Sequence, residues 1–451
     1  MNRLYILIIL AAIIPCYATA VTRTVKLDGT GDYTSIQAAI DAADPGDTVL
    51  VYPGRYYENL SIQTNDINLM SLEGSTGDPA YIDSTIIDGN RLDRCINARQ
   101  SNCTMRGFCV TGGLAIGAGG GISISEKASV INCKIYDNTS RTGGGINIIG
   151  AEASLSGVEI FDNYAIFLGG GLYATYTTGY TYSIIFDPVN RCSIYNNRSG
   201  SGQDIYIQHA TADLYMPFDT FSVAEPSNYY AVYLSDDPLI NNYRINFDIL
   251  NAHHQEIDSD LYVSANGDDA NDGLSPATAL KTIHEAIYRI AADSLCQKTV
   301  HILPGEYSRT DNDQTFPIAL KSWVMVQGSG IDTTTVIGEP HPEIPLGYGD
   351  ADFAFASFTE SVITMQDLSI TSRYSDNSNA ILLYRMGCLN LTNVRVHDVM
   401  VDYTPAILGA MQDAHDSVWN NVTIEDYSWN LHQRLRLNYK KNGCLLKREE
   451  P

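Results

Sequence analysis

Positive charge is what this chain has least of for its length. Its 451 residues carry 28 Lys and Arg against 52 Asp and Glu, a formal net charge of −24. A chain that neutralises phosphate needs the opposite balance, so nucleic acid is excluded as a partner. Tryptophan is scarce, at three residues. Long apolar runs are missing beyond the one from Leu4 to Ile14, so no membrane span is expected. The histidines of His253-His254-Gln255-Glu256 lack zinc-protease spacing, which argues against a metal there. Apolar residues at helical spacing are absent from 119–174, which excludes a helical solenoid in that stretch.

What the first twenty residues do have is an export signal. Arg3 supplies the charge, Leu4 to Ile14 the apolar segment, and Ala18-Thr19-Ala20 a small-residue cleavage site. The mature chain then starts at Val21 and is expected to be secreted or displayed at the cell surface. Cys16 leaves with the signal, and eight cysteines remain. Cys133 and Cys192 fall at matching inward positions two repeats apart. At about 4.8 Å per repeat they are too distant to bond, so buried free thiols are expected. Cys95, Cys103 and Cys109 are close enough in sequence to remain candidates for pairing.

A repeat organises the rest. Gly119-Gly120-Gly121-Ile122-Ser123-Ile124, Gly143-Gly144-Gly145-Ile146-Asn147-Ile148 and Gly169-Gly170-Gly171-Leu172-Tyr173-Ala174 start 24 and 26 residues apart. Between them come Ile135-Tyr136-Asp137-Asn138, Ile160-Phe161-Asp162-Asn163 and Ile194-Tyr195-Asn196-Asn197. A period near 25 that contains only short alternating runs and turns is one coil of a parallel β-helix.

Each solenoid needs its open end covered, and two stretches have the form of a cap. In the first, Thr34-Ser35-Ile36-Gln37 reads as a capping box with Thr34 as N-cap, and Ile36, Ala39, Ile40 and Ala43 make one apolar face. In the second, Thr282-Ile283-His284-Glu285 repeats the box, and Ile283, Ala286, Ile287 and Ile290 repeat the face. Val49, Val51, Pro53, Gly54 and Tyr56 recur as Val300, Ile302, Pro304, Gly305 and Tyr307, all at an offset of 251. The expected organisation is a signal over 1–20, a first β-helix over 21–250, a linker over 251–260, a second β-helix over 261–430 that looks truncated, and a basic tail over 431–451. In the second, Asp367, Asn393 and Asn421 precede successive coil strands and are expected to stack as a side-chain ladder.

Family likeness sits in the caps. Leu27-Asp28-Gly29-Thr30-Gly31-Asp32-Tyr33-Thr34-Ser35-Ile36-Gln37-Ala38-Ala39-Ile40 resembles the start of pectin methylesterases and of the wider pectin-lyase-like superfamily. The stretch Tyr262-Val263-Ser264-Ala265-Asn266-Gly267-Asp268-Asp269-Ala270-Asn271-Asp272-Gly273-Leu274-Ser275-Pro276 resembles the start of secreted bacterial β-helix repeat proteins labelled as a domain of unknown function. The glycine and asparagine repeats are similar to those of such surface proteins and of polymorphic outer-membrane proteins. The resemblance implies right-handed parallel β-helices over most of 24–430. It implies no single activity, because the superfamily includes lyases, hydrolases, esterases, epimerases and adhesins. The esterases' Gln and Asp motifs have no counterpart in the coils after the first cap, between Asn102 and Gly121.

Four constellations are candidates for chemistry. His397-Asp398 and Glu425-Asp426 occupy matching places in neighbouring coils and pair an imidazole with carboxylates, the groups that proton abstraction or glycoside hydrolysis uses. Asp137 and Asp162 stack at one coil position and could hold Ca2+. Asp268-Asp269-Ala270-Asn271-Asp272-Gly273 begins like a calcium loop, but Ala270 lacks a ligand oxygen and Ala279 stands where an EF-hand has Glu, so turn chemistry is expected. Tyr173, Tyr176, Tyr180 and Tyr182 lie in the one long coil, where exposed rings would suit sugars. The expectation is an all-β chain of two tandem right-handed parallel β-helices, each opened by a short amphipathic capping helix. Its expected role is to bind polysaccharide or a surface partner without a catalytic motif. The alternative is a polyuronate lyase or glycoside hydrolase acting on acidic polysaccharide.

Overall fold

The computed structural model describes residues 20–99, 102–175, 183–208, 213–234, 244–344, 352–357, 362–373, 378–384, 388–397, 407–410, 418–424 and 440–446. Among these, strands up to residue 252 form four sheets of seven, eight, seven and four strands, and strands from 261 onward form two sheets of nine and four. Every pair of strands is parallel, and each strand pairs with its counterpart in the next turn of chain. The architecture is all-β and parallel β-helical.

The glycine repeat explains why. Ile122-Ser123-Ile124 pairs residue for residue with Ile146-Asn147-Ile148, and these with Leu172-Tyr173-Ala174. The sequence period is therefore one coil. Ile122, Ile124, Ile146, Ile148, Leu172 and Ala174 are all buried, as alternation requires of the inward face. The glycines do two jobs. Gly119, Gly143 and Gly169 turn the chain at φ of 72°, 63° and 61°. Gly121 and Gly145 stack so closely that a Cβ on either would stand 2.6 Å from the carbonyl oxygen of the third glycine in the next coil.

The third glycine also leaves room for an asparagine ladder. Asn138, Asn163 and Asn197 are buried. The Asn138 amide donates to Asn163 Oδ1 and the Asn163 amide to Asn197 Oδ1, both at 3.0 Å. The ladder ends on Asp204, whose Oδ1 accepts from Asn197 Nδ2 at 3.0 Å and from Asn197 N at 3.3 Å. Asp204 occupies the third-glycine place of a fourth triplet, Gly202-Gln203-Asp204, with Leu172 N bonded to its carbonyl as Ile146 N is to that of Gly171. Its side chain fills the slot that an asparagine of the next coil would take.

Both amphipathic segments are helical, Ile36–Asp41 and Ile283–Arg289. Thr282 caps the second, as the sequence predicts, by accepting from Glu285 N at 3.2 Å. The first is capped by Ser35, not Thr34. The carboxylate of Glu58 decides the choice: it bonds Ser35 Oγ at 2.9 Å and Ile36 N at 2.8 Å. Cys95, Cys103, Cys109, Cys133 and Cys192 are buried thiols outside any disulfide. Burial pushes Cys133 up to about 11 and Cys192 up to about 12, so neither is a thiolate at neutral pH.

The segment 251–260 is mostly exposed but is tied to the strands on either side. Strand Ile245–Ala252 still pairs with the preceding coil, and Ile257 bridges to Ile290, the residue just past the helix Ile283–Arg289. One hydrophobic cluster runs from Phe221 and Tyr230 through Tyr288 to Ile283 and Leu261.

Candidate functional site

The sequence candidates that fall within the described residues, His397, Asp137, Asp162 and Tyr173, do not come together in one site. His397 is half-buried beside the inward Val396, while Asp398, Glu425 and Asp426 lie outside the described residues. Asp137 and Asp162 are left-handed turn residues at φ of 52° and 53°. Asp137 pairs with the Arg91 guanidinium at 2.5 Å, and Asp162 accepts from the Asn196 amide. Among the described residues no three His, Cys, Asp or Glu side chains converge to hold a metal ion. The Asp-rich loop is turn chemistry: Asp268 and Asp272 each accept from the backbone N–H two residues on, and Asp269 binds Lys281 N and Thr282 N at the helix start.

Tyr173 is 9 % exposed and not the open platform that the sequence suggests. Its hydroxyl donates to Gln208 at 2.9 Å, and its ring belongs to a cluster with Tyr206, Val232 and Phe353 that joins the two sets of strands. Tyr176, Tyr180 and Tyr182 lie outside the described residues.

A different site lies where the two sets meet. A cavity of about 270 Å³ is walled on one side by Ser201, Ser227, Asn228 and Tyr229, and on the other by Lys321, Ser322, Trp323 and Ser357. Trp323 is 39 % exposed and sits at φ of 65°, a left-handed conformation that costs a tryptophan about 1 kcal/mol or more. Strand Val362–Ser372 holds it there. Trp323 N donates to Val362 O at 3.0 Å, and Val362 N donates to Ser322 Oγ at 2.9 Å. Such strain persists only where its surroundings over-determine it, and it concentrates at ligand sites.

Lys321 is the charged group of this wall, with its side chain 1 % exposed. Its ammonium donates to Glu256 Oε1 at 2.6 Å and Ile290 O at 2.8 Å, with Tyr288 O and the Tyr230 hydroxyl at 3.3 Å. It lies over the rings of Tyr229 and Tyr230. Burial pushes it down to about 8, opposed by the Glu256 carboxylate, so it stays protonated at neutral pH. Tyr229 is buried, and its hydroxyl has no hydrogen-bond partner among the described residues. His254, tilted against Tyr288 with ring centroids 4.4 Å apart, is held neutral by burial, which lowers it to about 4.

None of these residues stood out in the sequence. The wall draws on positions near 201, 228, 322 and 357, whose spacing follows no period. Two weak signals existed: the Tyr229-Tyr230 doublet, and Trp323 as one of three tryptophans.

The fold class these features define is a parallel β-helix with a small polar and aromatic cleft. Residues 265–349 match a family model described as "Protein of unknown function (DUF1565)". No curated protein matches the chain. Among solved structures, a pectin methylesterase from carrot is similar at 8% identity and a TM-score of 0.24, over 94% of this chain and 88% of that one. The PL6 family alginate lyase AlyGC is similar at 10% identity and a TM-score of 0.20, over 91% and 78%. Those superpositions are too loose for any residue role to be carried across.

Proposed function

We propose that this chain is an exported or surface-displayed pair of tandem right-handed parallel β-helices that binds polysaccharide or a glycan-bearing surface partner. The helices Ile36–Asp41 and Ile283–Arg289 each close the open end of one solenoid. The supporting observation is the cleft between the two sets of strands, where the strained Trp323 and buried Tyr229 stand among Ser201, Ser227, Asn228 and Ser322. Aromatic surface beside hydroxyl and amide groups is the chemistry that recognises sugars. Among the described residues, those lining that cleft include no carboxylate or imidazole, and so supply no acid/base pair for glycoside cleavage. Binding is therefore the reading favoured over catalysis.

A panel of insoluble and soluble polysaccharides tests this, read by co-sedimentation and by release of unsaturated or reducing ends with and without Ca2+. Retention on a polysaccharide without product release is expected. Turnover that disappears in Asp398→Ala or Glu425→Ala would replace binding with a lyase or hydrolase. Export is tested by N-terminal sequencing of the secreted or surface fraction, which should begin at Val21.

A further inference from the structure

We infer that the cleft takes one neutral sugar unit, such as the end of an uncharged glycan, and not a stretch of acidic polysaccharide. This rests on the carbohydrate-binding reading above and narrows it.

Charge is the first argument. Among the described residues Lys321 is the only lining side chain that is charged at neutral pH, and its ammonium faces four acceptors: Glu256, Ile290 O, Tyr288 O and the Tyr230 hydroxyl. Three N–H groups are fully used by four acceptors, which leaves no donor for a ligand carboxylate. A uronate in this cleft would lose its hydration without gaining a cation. It would also approach a chain of net charge −24, whose field repels polyanions.

Size is the second argument. At about 270 Å³ the cleft falls just below the ~300–1,000 Å³ of pockets for drug-sized ligands. That is room for one ring and its substituents. The third is the lining. Sugar hydroxyls both donate and accept, and the side chains of Ser201, Ser227 and Asn228 do the same. The apolar face of a pyranose has Trp323 to lie against.

Calorimetric titration of the full chain tests the inference. The probes are neutral gluco-, manno- and galacto-oligosaccharides and uronate oligomers of matched length, each at low and high salt. Trp323→Phe and Trp323→Gly are run beside the parent. Glycine accepts the left-handed backbone at 323, so Trp323→Gly is expected to keep the parent's melting transition. The expected result is one neutral probe series binding with equal affinity at both salts and no gain beyond the first one or two units. Trp323→Gly weakens that binding about tenfold or more, and Trp323→Phe retains most of it. Uronate binding as tight or tighter, fading with salt, overturns the neutral class and leaves carbohydrate binding standing. Affinity that climbs steadily with chain length overturns the single unit. No binding by either series overturns the inference together with the reading beneath it.

Discussion

Asp204 is the residue at which the regular coil gives way. Its Oδ1 takes two bonds from Asn197, and its Oδ2 is buried on the side of Ser222. Burial raises the carboxyl from 3.8 to about 7, opposed by the Asn197 amide. The folded protein therefore holds a proton between those values that the unfolded chain has released. Stability from this group is complete below pH 3.8, falls as pH rises toward about 7, and is flat above that. Asp204→Asn should remove this slope and stabilise the protein by a few kcal/mol at about pH 8 relative to about pH 5. Urea unfolding of parent and variant at both pH values checks it, and parallel stability curves would refute it. Gly145 and Gly117 make a second pair. A Cβ on Gly145 meets Gly171 O at 2.6 Å, whereas one on Gly117 meets nothing within 4 Å. Gly145→Ala should cost about 2–4 kcal/mol or prevent folding, and Gly117→Ala should lie within about 1 kcal/mol of the parent, by chemical denaturation.

Among elements, the ladder divides coil positions into those that hold the fold and those that only turn it. Asn163 Nδ2 donates to Ile135 O, Phe161 O and Asn197 Oδ1, and Asn163 Oδ1 accepts from Asn138. Asn163→Ala strands several buried groups and should cost about 3–5 kcal/mol. Asn196, one residue before the next rung, is a left-handed turn at φ of 54°, and Asn196→Gly should change stability by less than about 1 kcal/mol. Thermal melts of the two variants distinguish the roles. The ladders and coils were legible in the sequence because period and alternation are properties of neighbouring residues. In the later strands Asn393 bonds Asp367, and Asn421 bonds Asn393, as their spacing suggested. The N-cap was misread because Thr34 and Ser35 are equally able to cap. Glu58 selects between them, and nothing local announces a residue that arrives from the next coil. The cleft was illegible for the same reason on a larger scale. Its walls meet only after both sets of strands have folded, and Tyr173 was misjudged because the surface that buries it includes Phe353.

At the scale of the whole molecule, the two sets of strands share no sheet but share a core. Tyr288, on the helix Ile283–Arg289, reaches back to Ser222 at 2.9 Å, and Lys321 ties Glu256 to the carbonyls around it. The expected calorimetric trace is one transition. Lys321→Met keeps the bulk but leaves Glu256 and two carbonyls without their cation, and it should split the trace into two or move it down by several degrees. A single unshifted peak would show that the junction is held by apolar packing alone. The end of the first ladder has a consequence of another kind. Identical coils carry no instruction about when to stop, and an exposed last rung is a template that another chain could extend. Asp204 puts a side chain of its own coil into the seat that the next rung needs. The count of rungs is thus written into one codon, and lengthening the array at that end would first require a glycine in place of Asp204.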